Sequence, residues 1–252
     1  MSVSIVTPSP ALQWNGTLTV RSSTNRVIFH HAAMDTASVH DMHNYSLDQG
    51  QAGIGYNFYI RKDGTIYEGR GWNKVGAHTV NFNSTSIGIC CEGYYHNDEQ
   101  GYTQAPPKEQ IKSLIALIAE AKNRYTITSI GGHSDFNATV CPGSLFPEST
   151  VIEAVSVYPT IVAACNALVA LGVIRSPEYW LGYFWCLPHL GDLIISCANR
   201  CRKCQTGLYM SESAAIQRLA DVHIISSPDY WLKNYASIEH LGDFLKQVAN
   251  RS

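Results

Sequence analysis

Two histidines and one cysteine carry the most specific chemistry in this chain. His30 stands at the end of a predicted strand, where side chains leave a rigid scaffold, while His133 and Cys141 bracket a loop that follows another predicted strand. The eight-residue separation of His133 and Cys141 lets both side chains reach one ion. Zinc favours imidazole nitrogen and thiolate sulfur, and a catalytic zinc site keeps three protein ligands plus a water position. A His and a Cys at this spacing make a weak signal alone, so its weight rests on the elements that must bring these residues together.

Those elements follow an α/β pattern with a mixed sheet. Arg26 to Phe29 is a short apolar, β-branched run suited to a buried strand. Ser38 predicts a helix cap, with the helix running to Asp48 and ended by Gly50. Tyr56 to Ile60 and Thr65 to Glu68 flank Lys62-Asp63-Gly64, a strong hairpin signal. Ser86 to Cys91 reads as another buried strand. Pro106-Pro107 opens a long helix with Ile111, Leu114, Ile115 and Ile118 on one face. A short strand is expected at Ile127 to Ile130, before Gly131-Gly132 and a loop to Pro147.

Six blocks then appear in order: Val27-Ile28-Phe29-His30-His31, Gly53-Ile54-Gly55-Tyr56-Asn57-Phe58, Asp63-Gly64-Thr65-Ile66-Tyr67-Glu68-Gly69-Arg70, Val75-Gly76-Ala77-His78, Asn83-Ser84-Thr85-Ser86-Ile87-Gly88-Ile89, and Gly132-His133-Ser134-Asp135 followed by Cys141-Pro142-Gly143. Together they resemble the type-2 N-acetylmuramoyl-L-alanine amidase family, which includes phage amidase lysozymes and animal peptidoglycan recognition proteins. The resemblance covers roughly Trp14 to Pro147. It implies a mixed central sheet flanked by helices and zinc-dependent cleavage of the amide joining N-acetylmuramic acid to L-alanine in peptidoglycan.

Carried over by position, the resemblance puts the zinc ligands at His30, His133 and Cys141 and the catalytic tyrosine at Tyr56. A histidine lining the substrate cleft falls on His78. Thr139 fills a position that holds a catalytic lysine in some phage members, and Asn57 fills the histidine of a Tyr-His-Phe block, a substrate-contact position. Asn44-Tyr45-Ser46 also departs from the Arg-Trp-His of bacterial relatives, which bears on peptide specificity. Inactive members often replace the third ligand by serine, so Cys141 points to an enzyme. The alternative is a non-catalytic peptidoglycan-binding protein using the same cleft. No carboxylate in these motifs stands out as a proton shuttle; Asp135 either orients a ligand imidazole or caps its loop.

Composition narrows the field. At 252 residues, with 45 % hydrophobic and 15 % charged residues, the chain is packed and globular. A net charge of −2 argues against nucleic acid as a partner, because phosphate binding needs a basic surface. Membrane insertion is not expected, since no run approaches the ~18 apolar residues of a span. Met1 to Pro10 lacks a basic start and an apolar stretch, so synthesis in the cytoplasm without a signal peptide is expected, with the wall reached through a separate holin-type pore or on lysis. Most of the eight cysteines are expected to be reduced thiols.

Beyond a linker expected at Glu148 to Val157, the texture changes. Residues 1–150 read as the catalytic domain and 158–252 as a small all-α domain of two tandem repeats. Ala163 to Arg200 aligns without a gap on Ala214 to Arg251, an offset of 51 residues. The match carries Ser176-Pro177-Glu178-Tyr179-Trp180-Leu181 onto Ser227-Pro228-Asp229-Tyr230-Trp231-Leu232, and His189-Leu190-Gly191-Asp192 onto His240-Leu241-Gly242-Asp243. Such repeats resemble the C-terminal halves of clostridial lysins and autolysins, which favours wall targeting, with homo-oligomerisation as the other reading. The aromatic pairs are expected either to stack on sugars or to form the core. Cys197, Cys201 and Cys204 invite a second metal site, but the repeat carries Val248 at the place of Cys197, so incidental thiols are expected. His31 is expected to be structural, His40 and His43 to lie on a solvated helix face, and His96 to be a loop residue.

Overall fold

The computed structural model describes residues 3–97, 103–186, 189, 190, 193, 194, 197, 211–221, 223–235, 241, 244, 245 and 248. Strands β1 (Arg26–His31), β2 (Phe58–Ile60), β3 (Ile66–Glu68), β4 (Ser86–Cys91) and β5 (Ser129–Gly132) form one sheet in the order β3-β2-β4-β1-β5. β2 and β3 are the antiparallel hairpin; every other pairing is parallel. The hairpin turns at Gly64, whose φ of +88° favours a residue without a Cβ, and the Asp63 carboxylate accepts the Thr65 N–H. β1 and β4 are buried on both sides, as central parallel strands must be: Val27, Ile28, Phe29, Ile87 and Ile89 are fully inaccessible.

Helix α1 (Val39–Asp48) begins at a reciprocal cap in which the Ser38 hydroxyl accepts the Asp41 N–H and the Asp41 carboxylate accepts the Ser38 N–H. With Ala32, Val39, Met42, Ile54, Tyr59 and Cys90 it builds one apolar cluster. Helix α2 (Lys108–Arg124) buries the stripe Ile111, Leu114, Ile115 and Ile118. Its first turn places Gln110, whose amide donates to the carbonyls of Ile60 and Glu92 at the ends of β2 and β4.

Several expectations are corrected. β5 starts at Ser129 because both the Thr128 and Ser129 amides are spent on the Asn25 carbonyl, so pairing begins at Arg26 opposite Ser129. His43 is buried at 3 % exposure, not solvated: its Nε2 bonds the Gln13 carbonyl and its Nδ1 accepts the Ile54 N–H. His40 likewise bonds the Pro10 carbonyl. The stretch expected as a linker, Glu148 to Val157, is helical, forming the start of helix α3 (Glu148–Ala170), and the division between the two units falls within it. That helix is also long and apolar enough to meet the length and composition of a membrane span. Ser156, Tyr158 and Thr160 broke the run in sequence without making the stretch polar. Val151, Ala154, Val155, Ile161, Ala164, Cys165 and Leu168 form a buried stripe on it at helical spacing.

The protein divides into two units, Met1–Ser156 and Val157–Ser252. In the second, α4 (Pro177–Tyr183) and α6 (Pro228–Asn234) each follow a serine N-cap with proline in the first turn, and α5 (Glu212–Asp221) precedes α6. The backbone recurs at the 51-residue offset. Val173 and Ile174 both donate to the Leu168 carbonyl, and Ile224 and Ile225 both donate to that of Leu219. Gly172 and His223 share a left-handed φ, +69° and +57°. Trp180 and Trp231 are buried, so they belong to this unit's core. Cys197 is buried, and Cys201 and Cys204 lie outside the described residues.

Candidate metal centre

The site forms because β1 and β5 are parallel neighbours. Their last paired residues are Phe29 and Gly132, so His30 and His133 both emerge just past that pair, at the carboxyl end of the sheet. His133 opens a single 3-10 turn, His133–Asp135, and the chain returns so that the Ser134 N–H donates to the Cys141 carbonyl at 2.8 Å. This return delivers the third residue. The donor atoms of His30, His133 and Cys141 all lie within 4.8 Å of one another, and His30 Nδ1 is 3.7 Å from Cys141 Sγ. Zinc bonds of about 2.0 Å to nitrogen and 2.3 Å to sulfur in a tetrahedron require donor separations of roughly 3.3–3.8 Å. The two nitrogens and one sulfur present therefore fit zinc.

Hydrogen bonds set which ring nitrogen of each histidine is bare. The Ser86 hydroxyl donates to the Phe82 carbonyl at 2.8 Å, leaving its oxygen to accept from His78 Nε2–H, 3.4 Å away. His78 Nδ1 is then an acceptor shared by the Thr79 hydroxyl at 2.8 Å and His30 Nε2–H at 3.0 Å. His30 keeps its lone pair on Nδ1, the atom facing the sulfur. His133 Nε2–H donates to Asn137 Oδ1 at 3.2 Å, which likewise leaves Nδ1 bare. Asn137, and not Asp135, orients this imidazole.

Burial keeps the imidazoles neutral. Desolvation first, then the neighbouring histidines, hold His30 far below the usual histidine range. Burial pushes His78 down to about 3 and lowers His133. Burial also raises the Cys141 thiol to about 12, with the Glu148 carboxylate adding to the rise and the His31 backbone N–H opposing it. Without a cation this cysteine is a thiol; a divalent ion would supply the charge that makes it a ligand.

Tyr56 sits over the site, its ring 5.1 Å from that of His30. Its hydroxyl hydrogen-bonds the Cys90 thiol, and burial raises its pKa well above 10, so it is a proton donor and not a base. Arg70 fixes the approach by donating to the carbonyls of Ile54 and Val75. His78 is clasped between two glycines: a Cβ on Gly76 or Gly88 would stand 2.3 Å from its Cδ2. Thr139 is exposed and its hydroxyl accepts the Cys141 N–H at 3.3 Å, so it shapes the ligand loop.

The assignment of Asn57 to substrate is corrected. It is fully buried, its amide donates to the carbonyls of Gly71 and Lys74, and its oxygen accepts the Gly88 N–H. No group is left for a ligand. His31 is structural, its Nδ1 accepting the Tyr95 N–H, and His96 Nδ1 accepts the Ser144 N–H. One residue escaped the sequence reading, Glu148. It accepts the Gly132 N–H at 2.6 Å and hydrogen-bonds Asp135, and burial raises its pKa, as does the Asp135 carboxyl. The nearest signal in sequence was an acidic residue opening a helix beside the His133 loop.

A mixed α/β sheet with two imidazoles and a thiol gathered past its parallel strand ends matches the amidase and peptidoglycan-recognition fold. The chain belongs to the N-acetylmuramoyl-L-alanine amidase family, whose model matches residues 21–144. Peptidoglycan-recognition protein SC2 of Drosophila simulans is 35 % identical over 165 residues, covering 57 % of this chain and 83 % of that protein. The endolysin of Klebsiella phage KP32 is 34 % identical over 131 residues, 49 % of this chain and 83 % of its own length. Among solved structures, the N-acetylmuramoyl-L-alanine amidase LysC from Clostridium intestinale URNW is similar at a TM-score of 0.53 and 33 % identity, covering 62 % of this chain and 95 % of that one.

Proposed function

We propose that this protein hydrolyses the amide bond between N-acetylmuramic acid and L-alanine in bacterial peptidoglycan, with zinc held by His30, His133 and Cys141. The convergence of three donor atoms of the right kinds within 4.8 Å carries the reading. Zinc bound there supplies a Lewis acid and activates water near neutral pH. The residues around it do the rest. His78 and Asn137 hold the two ligand imidazoles in the tautomers that present Nδ1. Tyr56, protonated and half-buried beside His30, would turn its O–H from the Cys90 thiol to meet charge developing on the scissile carbonyl. The carboxyls of Glu148 and Asp135 anchor the loop that carries His133 and Cys141. Released from the cytoplasm where it is made, such an enzyme acts on the wall, and the second unit (Val157–Ser252) serves to bind that wall.

Metal analysis and turbidity of purified walls test this for the wild type beside Cys141→Ser. The wild type is expected to hold one zinc per chain and to release L-alanine amino groups, and the variant to fold without either property. Wall binding with no amino-group release by the zinc-loaded wild type would leave only the binding-protein reading. More than one zinc per chain would bring Cys197, Cys201 and Cys204 back as ligands.

A further inference from the structure

The second unit contains a cavity of about 320 Å³ between the two repeats, and the repeats themselves show why it is open. His189 and Leu193 of the first repeat line it together with Ser226, Ser227, Tyr230 and Trp231 of the second. Moving by the 51-residue offset gives the partner position, where His, one Ile, one Ser, Tyr and Trp recur but three residues differ. Leu193 is replaced by Phe244, whose ring packs 4.7 Å from that of Trp180, and Ser226 is replaced by Arg175. At these two places the cavity carries the much smaller side chain; at the third, Ile224 against Val173, it carries one more methylene. The space beside Trp231 is thus set by sequence, through two large reductions in side-chain size set against one added methylene.

We propose that this cavity binds a neutral amino sugar of the wall glycan, an N-acetylglucosamine unit, and so makes the second unit a glycan reader; this rests on the wall-hydrolase reading above. A sugar ring has apolar C–H faces and a rim of hydroxyls, and it is best met by an aromatic wall beside uncharged donors and acceptors. The half-buried Tyr230 provides the wall, backed by the buried Trp231, with the His189 ring set edge-on to Tyr230 at 5.7 Å. The exposed Ser226 and Ser227 hydroxyls and the His189 imidazole provide the polar rim, and Leu193 and Ile224 suit an acetamido methyl. Among the described lining residues none is Asp, Glu, Lys or Arg, which disfavours the phosphates of a teichoic polymer and the charged stem peptide. The volume lies at the small end of ligand pockets, about 300–1,000 Å³, and suits a single ring with its substituent.

The test uses the full chain carrying Cys141→Ser, so that binding is read without cleavage, with chitotriose as probe by calorimetry and tryptophan fluorescence. Saturable binding is expected, weakened at least tenfold by Leu193→Phe and by Ser226→Arg. Each variant installs the residue the other repeat already carries, and unchanged thermal melting verifies folding. On the Cys141 background both variants are expected to release L-alanine from a soluble muramyl peptide at the parent rate. Absence of saturable binding, or binding by both variants as tight as the parent's, overturns the proposal. A concentration-dependent molar mass abolished by Leu193→Phe also overturns it, by giving the cavity to a second copy of the chain. Chitotriose binding in a chain that never hydrolyses walls would sink the amidase reading and leave this one standing.

Discussion

His30 Nε2 and His78 Nδ1 lie 3.0 Å apart, and that one contact decides which nitrogen of His30 is offered to a metal. Ser86 stands behind it, and Gly76 and Gly88 clear the slot in which the His78 ring lies. His78→Phe keeps a ring but removes the acceptor, so zinc affinity measured against a chelating dye is expected to fall about 10–100-fold. Ser86→Ala, which removes only the outer partner, is expected to lose less. Gly88→Ala forces the ring out of its slot and is expected to reproduce the His78→Phe loss. Unchanged affinity in all three would mean that the ligand tautomer is set elsewhere.

Asn57 makes three hydrogen bonds from a fully buried side chain. Asn57→Ala orphans the Gly88 N–H and the Gly71 carbonyl, while the Lys74 carbonyl keeps Arg21, which is expected to cost about 2–4 kcal/mol in denaturant unfolding. Relative rates on lysine-type and diaminopimelate-type muropeptides are expected to stay as they are. A changed preference with unchanged stability would return Asn57 to the substrate cleft.

What the sequence made legible was chemistry carried by local motifs. The Ser38 cap, the Asp63-Gly64 turn and the Ile111-to-Ile118 stripe each act within a few residues, and each formed where expected. The meeting of His30, His133 and Cys141 was readable because they sit in short ordered blocks of distinctive composition. Residues whose partners are far away were not readable. His43 looked solvated because its carbonyl partner belongs to Gln13, 30 positions earlier, and Asn57 looked available because Gly88 is 31 positions later. Glu148 was assigned to a linker since nothing nearby in sequence announces its bond to Gly132, 16 positions back.

Glu148 itself yields a third expectation. Its negative charge opposes ionisation of the Cys141 thiol, while its oxygen accepts the Gly132 N–H. Glu148→Gln keeps the acceptor and removes the charge. In metal-free protein the rate of Cys141 alkylation by iodoacetamide, followed by peptide mass mapping at fixed pH, is expected to rise severalfold. Glu148→Ala also removes the acceptor and is expected to cost about 1–3 kcal/mol of stability. Equal alkylation rates in the wild type and the Gln variant would show that the carboxylate does not act on the thiol.

Acid should destabilise the metal-free protein through its buried histidines. His31 is 5 % exposed, and burial, followed by the charge of His96, brings its pKa down to about 4 from an unfolded value near 6.5. Between those values the unfolded chain binds more protons than the native one, so stability rises with pH across the window. The His31 contribution is complete above about pH 6.5 and is lost as pH falls towards 4, a change of about 3 kcal/mol. His30, His78 and His133 are shifted in the same direction and steepen the slope. His31→Asn retains an acceptor for the Tyr95 N–H but cannot titrate. In chelator, urea unfolding at pH 4.5 and pH 7 is expected to show a smaller acid loss in this variant. A loss equal to that of the wild type would mean that His31 is not held neutral by the fold.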